Sequence, residues 1–395
     1  MGNLRCLSLG LFVCLAPDIA RALTLPATPM AQLWDRAQVV CVGEIESKTF
    51  RPWAGRVGGT WTEHHIRILR TLKGGSKTGL IVGLPGGVRK GIVTQVHGVP
   101  TLTTGKRYVF LLEKHRGEWI PLDYSRGLLP AGQRDDWNIE DLNAAFSSAM
   151  RHGYVVMQAS SGKNVHWTNR CIDLWVSDLG SGRFSSDAIK GVVTESFERW
   201  SLAQGGDLSH QFRGYTCFDQ VGFDDWPGPQ NVIHFRQLEE AWIHPPKIAA
   251  LTTILYRDDT GVVVDADIEF NEAYTKFTLD GSVDSFSLRY TMTHELGHLL
   301  GLDHSSLHSA LMGVNSIPQK VGDFELHSDD RNAIVANYPA GVGTVACGTS
   351  RSFGEEAVYC PAKPDPGGCA AANDRTSWPW WLSLLTLVIL ARRRA

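Results

Sequence analysis

Short blocks of apolar residues alternate with polar, glycine-rich punctuation through the first third of the chain, and helical spacing appears only later. Residues 39–45, 61–69, 79–84 and 108–113 have the β-branched and aromatic content of strands. Gly74-Gly75 and Pro85-Gly86-Gly87 are predicted turns between them. Residues 30–37 are a candidate short helix. His64 and His65 are neighbours in one predicted strand, so they point to opposite faces and cannot chelate one metal together. Residues 132–163 read as a linker, polar and turn-rich at first, then a short helix predicted over 138–152, then a break at Ser160-Ser161-Gly162.

Strands at that spacing predict a small barrel or sandwich over residues 23–131. The pattern resembles the OB-like β domains that precede catalytic domains in some exported bacterial proteins, and it carries no chemistry of its own. A second domain is predicted at 164–341. Residues 171–176 read as a strand, and 187–203 as an amphipathic helix with Ile189, Val192, Val193, Phe197 and Trp200 on one side. Ser185 and Ser186 are candidate N-caps, and Gly205-Gly206 is the stop. Strand-like runs follow at 231–235, 252–256 and 262–270. A last helix opens at Ser328-Asp329-Asp330, turns Ile334, Val335 and Tyr338 inward, and ends at Pro339 and Gly341.

Before that helix comes the stretch His294 to His304, HELGHLLGLDH. If 293–300 is helical, His294 and His298 stand one turn apart on one face and can bind a single metal. Glu295 is the next residue round the helix, placed to face a metal-bound water without being a ligand. Gly301 permits φ > 0, so the helix can stop and the chain can turn to bring in His304 as third ligand. Three neutral imidazoles leave a fourth tetrahedral position open. That is the arrangement of a catalytic zinc site rather than a closed structural one.

The extended HExxHxxGxxH pattern, followed by Ser309-Ala310-Leu311-Met312, resembles the metzincins, whose signature adds a Met-turn to the zinc motif. Within them, Asp303-His304-Ser305 and Ala310-Leu311-Met312 are similar to the matrixins, the matrix-metalloprotease-type catalytic domains. The resemblance implies a twisted mixed sheet with three helices over 164–341, so the predicted class for the whole chain is α+β. It also implies Met312 as an apolar floor beneath the metal, and protein or peptide substrates. Zinc would lower the pKa of a bound water from about 15.7 towards 7 and polarise the scissile carbonyl. Glu295 would act as general base. The substrate would add to the sheet as an extended strand, with residues 262–270 as the candidate edge. Asp265, Asp267 and Glu269 alternate there and read either as a solvated strand face or as candidate calcium ligands.

The chain departs from the matrixin pattern in three ways. Gly313-Val314-Asn315 stands where matrixins carry a Tyr–Pro wall of the specificity pocket. The His- and Asp-rich segment for a second zinc is missing, with only His234 and His244 in that vicinity, both read as ordinary surface or core residues. No Pro-Arg-Cys-Gly type latency switch lies upstream, which makes the β domain the expected cover for the metal. The alternative reading is a non-catalytic, surface-attached adhesion module that keeps the fold. A retained Glu295 speaks for the enzyme.

Composition adds the compartment. A 43% hydrophobic and 20% charged content is that of a globular protein, and a formal charge of −3 gives no electrostatic reason to expect nucleic acid. Residues 1–22 read as a secretory signal peptide, with Arg5, an apolar run at 7–16 and an A-x-A site at Ala20-Arg21-Ala22. Export permits disulfides, for which Cys171 with Cys217 and Cys347 with Cys360 are candidates of open connectivity. Cys41, in an apolar run, is expected to be a buried free thiol. After a 342–368 linker, Gly367-Gly368-Cys369, an apolar run at 378–391 and Arg392-Arg393-Arg394 resemble MYXO-CTERM sorting tails. That resemblance implies a C-terminal processing enzyme cutting near Cys369, and attachment to the cell surface through the 369–395 tail. An ordinary membrane anchor is the alternative, although the apolar run is shorter than the ~20 residues of a spanning helix.

Overall fold

Both faces of strand β1 (Val39–Pro52) are buried at its start, and they face different cores. Val39, Cys41 and Ile45 enter one apolar cluster, while Val40 and Val42 enter another. This is why residues 39–42 read as an unbroken apolar run rather than an alternation. Cys41 is a free cysteine, and burial pushes its thiol up to about 12. These contacts come from a computed structural model that describes residues 29–359, apart from 76–77, 135, 143–152, 204–205, 224–229, 283, 308, 314–323, 342–346 and 348–357. The signal-peptide reading of 1–22, most of the short helix expected at 138–152, Cys360 and the tail from Cys369 onward lie outside the described residues.

The N-terminal strands close on themselves. After helix α1 (Met30–Arg36) and β1 come β2 (Thr60–Lys73), β3 (Gly79–Pro85), β4 (Gly87–Arg89), β5 (Ile92–Val96), β6 (Arg107–His115), β7 (Glu118–Pro121) and β8 (Leu128–Pro130). The hydrogen-bonded order runs β1-β2-β3-β7-β6, and β6 pairs back with β1. The hairpin β4–β5 is left out of this ring and projects from it as an arm. Its turn places Lys90 at φ 53° and Gly91 at φ 78°, both left-handed, as a two-residue hairpin turn requires.

The second half forms a larger sheet. The strands of this half are β9 (Val155–Val156), β10 (Cys171–Ser177), β11 (Ser209–Thr216), β12 (Val232–Arg236), β13 (Ala250–Arg257), β14 (Val263–Asn271), β15 (Phe277–Thr278), β16 (Phe286–Ser287), β17 (Leu302–Asp303) and β18 (Val358–Tyr359), of which β15 pairs with β16 and β17 with β9 outside the main sheet. The main sheet has the order β18-β11-β10-β12-β14-β13-β5-β4, so the arm of the N-terminal ring supplies its last two strands. β13 runs antiparallel to β14 on one side and to β5 on the other. Helices α2 (Ser186–Ser201), α3 (Leu288–Leu299) and α4 (Ser328–Asn337) accompany it. The chain is thus mixed α+β, with more strand than helix.

Helix α2 shows how the sequence dictates its docking. The Ser185 hydroxyl accepts a bond from the Ala188 amide at 3.3 Å and caps the helix. Ile189, Val192, Val193, Phe197 and Trp200 are all buried, each contributing roughly 1.5–3 kcal/mol of apolar burial. Helix α4 opens at Ser328, as expected. His327 is its N-cap and Asp330 completes a capping box.

Three expectations are corrected. Residues 262–270 are not a sheet edge, because β14 lies between β12 and β13. Its alternating acids are not a solvated face either, since Asp265, Asp267 and Glu269 are each fully buried. Cys171 is bonded to Cys347, across 176 residues, rather than to Cys217, which is itself disulfide-bonded. The register puts Cys171 at the start of β10, where the returning chain near 347 crosses, beside Ser209 of β11.

The buried acids are answered by the N-terminal ring. Arg56 reaches across to both carboxylate oxygens of Glu269 at 2.8 Å, and Arg236 donates to one of them, Oε1, at 2.9 Å. His244, also fully buried, sits 3.3 Å from Glu269. Burial alone would raise Glu269, but the two guanidiniums outweigh it and hold the carboxylate well below its usual range. His234, likewise buried, faces Asp219 at 3.2 Å.

Asp267 accepts the amides of Gly222 at 2.6 Å and Val232 at 2.8 Å. Even so, burial raises it to about 7, and burial beside Asp267 raises Asp265 well above the ordinary range. The folded chain therefore keeps protons here that unfolded aspartates release near pH ~3.9. Stability must fall as pH rises through this window, towards about 7 and beyond. Asp265→Asn, which keeps the shape without the ionisable proton, should flatten that fall. Melting temperatures measured over roughly pH 5 to 8 test this; equal slopes in variant and parent would exclude the pair as its source.

Candidate metal centre

Helix α3 has little amphipathic character because every residue in it except Arg289 is buried. The Ser287 hydroxyl accepts the Tyr290 amide at 3.2 Å and starts the helix. Its C-terminal carbonyls are fully used. Leu299 accepts from the Trp167 indole at 2.9 Å, and Leu300 accepts from Asn337 at 3.1 Å and the Tyr338 hydroxyl at 3.0 Å. Gly301 follows at φ 83°, and a Cβ there would run into the Val165 carbonyl. Only glycine makes this turn without strain.

The turn brings His304 to His294 and His298. The Nε2 atoms lie 2.9 Å apart for His294 and His304, 3.0 Å for His298 and His304, and 3.1 Å for His294 and His298. The Nδ1 of His294 meets the Leu311 carbonyl at 2.8 Å, and that of His298 meets the Leu302 carbonyl at 2.8 Å. A carbonyl only accepts, so each of these Nδ1 atoms carries the proton and each Nε2 presents a lone pair. Burial also keeps both rings neutral, holding His294 at about 3 and His298 well below its ordinary value.

Two lone pairs 3.1 Å apart with no proton between them repel. His304 can donate to one of them but not to both. A cation at the centre relieves all three. The spacing is close to the roughly 3.3 Å edge of a tetrahedron built on zinc–nitrogen bonds of about 2.0–2.1 Å. The residues fit a zinc ion, and they are the one metal-holding cluster of His, Cys, Asp and Glu among the described residues.

The carbonyl that fixes His294 belongs to the Met-turn, which is itself fixed. Asp330 accepts the amides of Leu311 at 2.8 Å and Met312 at 2.9 Å, and the Ser305 amide donates to the Met312 carbonyl at 2.7 Å. The sequence placed Asp330 in a helix opening and gave no sign of this second task. Met312 is 1% exposed and lies against Gly297 of α3. Residues 314–315, where the wall of a specificity pocket was compared, are outside the described residues.

Glu295 is 1% exposed, and its Oε2 accepts the Thr252 hydroxyl at 2.7 Å. The same hydroxyl lies 3.1 Å from the Glu295 backbone carbonyl. Thr252 sits on β13, in a run that read only as a strand. His97 was also missed. Its ring stacks on His298, with centroids 4.1 Å apart and planes 17° from parallel. It is 2% exposed, and its Nε2 has no hydrogen-bond partner.

Gly297 is as constrained as Gly301. A Cβ on it would lie 2.7 Å from Trp200 Cζ2 and closer still to the Met312 sulfur. Gly297→Ala should therefore force the Met-turn outward, at an overpacking cost of about 1–3 kcal/mol. The expected result is a lower melting temperature and a lower zinc content at equal metal supply; an unchanged value of both would refute this packing role.

Comparison with known proteins places this centre in a family context. Residues 228–339 match the matrixin family model. The chain is 42% identical over 72 residues to matrix metalloproteinase-21 of Cynops pyrrhogaster, covering 18% of this chain and 11% of that protein. It is 43% identical over 72 residues to matrix metalloproteinase-21 of Xenopus laevis, with 12% of that protein covered. Matrix metalloproteinase-C of Caenorhabditis elegans is 27% identical over 192 residues, 45% of this chain and 29% of that protein. The chain thus spans under a third of the length of these curated relatives. Within those bounds the segment around the histidine cluster is matrixin-like, of the metalloprotease type.

Proposed function

We propose that this chain is an exported zinc-dependent endopeptidase. The observation that carries the reading is the convergence of three ring nitrogens, two of them on rings protonated at their far sides against carbonyls, beside a buried glutamate. In this reading His294, His298 and His304 hold the ion. Zinc bound there supplies Lewis acidity and a water of lowered pKa. Glu295 would hold at its carboxylate the proton lost by the attacking water and pass it to the leaving amine. Thr252 orients the carboxylate by donating to Oε2. Met312 and the Asp330-braced turn hold His294 from beneath.

Export is part of the proposal. The Cys171–Cys347 bridge supports it, since disulfides persist in oxidising compartments. So does the signal-peptide pattern of residues 1–22. Surface attachment through Cys369 and processing of the tail rest on the sequence pattern alone. The closed ring of β1, β2, β3, β7 and β6 supports an OB-like barrel for the N-terminal domain. No calcium site is included, because Glu269 is already neutralised by Arg56 and Arg236.

The test separates metal from chemistry. His304→Ala should lose zinc, measured by mass spectrometry of the purified protein. Glu295→Ala should keep it and lose at least ~10²-fold in peptide hydrolysis. Because the histidines are buried, rates are taken on the intact chain and after limited proteolysis. A zinc-loaded protein that cleaves no peptide in either form would overturn the reading.

A further inference from the structure

We propose that residues 92–99 are a built-in occupant of the peptide-binding edge, so that the intact chain is self-inhibited at the centre described above. This rests on the zinc-peptidase reading. It starts from β13, the strand whose Thr252 holds Glu295. Within the protease half, β13 has a neighbour on one side only, β14. Its other side is the edge nearest the catalytic glutamate, where an extended peptide would add by main-chain hydrogen bonds.

That edge is filled by the N-terminal arm. Ile92–Val96 pairs antiparallel with β13, from Arg257 opposite Ile92 to Thr253 opposite Val96. The pairing continues one residue further, where the His97 amide donates to the Thr252 carbonyl at 3.0 Å. In an antiparallel ladder, hydrogen-bonded pairs recur at every second residue, so Gln95 with Ile254 is the next one. The backbone groups that would greet a substrate at Thr252 and Ile254 are already taken.

His97 then closes the site from above. Its ring covers His298 at 4.1 Å, and it reaches this place only because β5 leads it there. With the arm in position, His294 and His298 are each 1% exposed and His304 is 7% exposed. No scissile carbonyl reaches nitrogens so enclosed. The Nε2 of His97 is buried without a partner, a desolvation that nothing in the arm compensates. A residue kept in place against that loss has a task other than packing.

The arm is also built to leave. It hangs from the ring between β3 and β6, and β4, its outer strand, has three residues. A cavity of about 340 Å³ lies behind it, lined by His64 and Leu84 of the ring, Val93 and Val96 of the arm, and Tyr256 of β13. The arm therefore lacks close packing over part of its rear face.

The probe is a fluorescein-labelled extended peptide bearing a hydroxamate, which binds zinc and is not cleaved. Three forms of the full, zinc-loaded chain are compared. They are the unmodified chain, Gln95→Pro, and a chain nicked by a site-specific protease at a recognition sequence inserted between Lys90 and Gly91. Proline removes the amide opposite Ile254. The nicked form retains every native residue and serves should Gln95→Pro fail to fold, as judged by circular dichroism. Hydrogen exchange at residues 252–257 is read alongside.

At least one opened form should bind the peptide ten-fold or more tighter than the unmodified chain. Exchange at 252–257 should rise on opening and fall again when peptide is added. Affinities within two-fold of one another in all folded forms, including no binding in any, would overturn the proposal. Gained binding without hydrolysis of a cleavable peptide would leave self-inhibition standing and remove the peptidase reading instead.

Discussion

Three imidazole nitrogens aimed at one point, two of them fixed as lone pairs, are unstable without a cation, and most of the second half serves to keep them so aimed. Two of the rings are locked from behind by carbonyls, one from the helix-terminating turn and one from the Met-turn. The first carbonyl exists because Gly301 turns the chain, and the second because Asp330 collects the amides of Leu311 and Met312. Trp200 reaches the same helix from α2, donating its indole to the Thr293 carbonyl at 2.9 Å. The site is thus preorganised by neutral donors and buried carbonyls, and its empty form stores repulsion that metal binding releases. Folding and metal binding are therefore linked.

The N-terminal ring is joined to the protease half by more than the arm. Trp242, Ile248 and Leu251 of the second half lie in the same apolar cluster as Val39, Tyr108 and Phe110 of the ring. Arg56 is buried and paired with the equally buried Glu269. Removing the ring would strip apolar cover and take from Glu269 one of its two guanidiniums, and removing a partner from a buried charge network is destabilising. A fragment that begins near residue 164 is therefore a poor stand-in for the intact chain. Relief of cover has to come from the arm, whose connection to the ring is local, rather than from separation of the two halves.

What the sequence showed clearly was whatever depends on short-range spacing. The triad is legible because four residues of helix and a glycine turn fix its geometry. Helix α2 is legible because its cap and apolar stripe are local. Strand β11 was missed since its residues are mostly half-buried and show no alternation. The acids of β14 looked solvated because alternation alone cannot tell water from a second protein layer. Thr252, Asp330 and His97 gain their tasks from contacts with distant segments, and no local pattern announces those contacts. The disulfide belongs to the same class, since Cys171 meets Cys347 only after the whole sheet is in place.

The arm is the limiting case of that rule. Val93 belongs to the protease core, whereas Val96 and Val99 belong to the core of the ring, so its side chains are divided between two clusters. A strand that served the sheet alone would commit its apolar side chains to the protease half. A strand that served the ring alone would not extend its ladder to the His97 amide. The division lets the arm be held by main-chain bonds on β13 while remaining covalently and apolarly anchored elsewhere. Its concentration at the edge is then set by the tether and not by solution affinity, so even a weak strand excludes peptides that must arrive from outside. Main-chain pairing gives that exclusion its strength without regard to substrate sequence, and the single imidazole of His97 is what directs it at the metal.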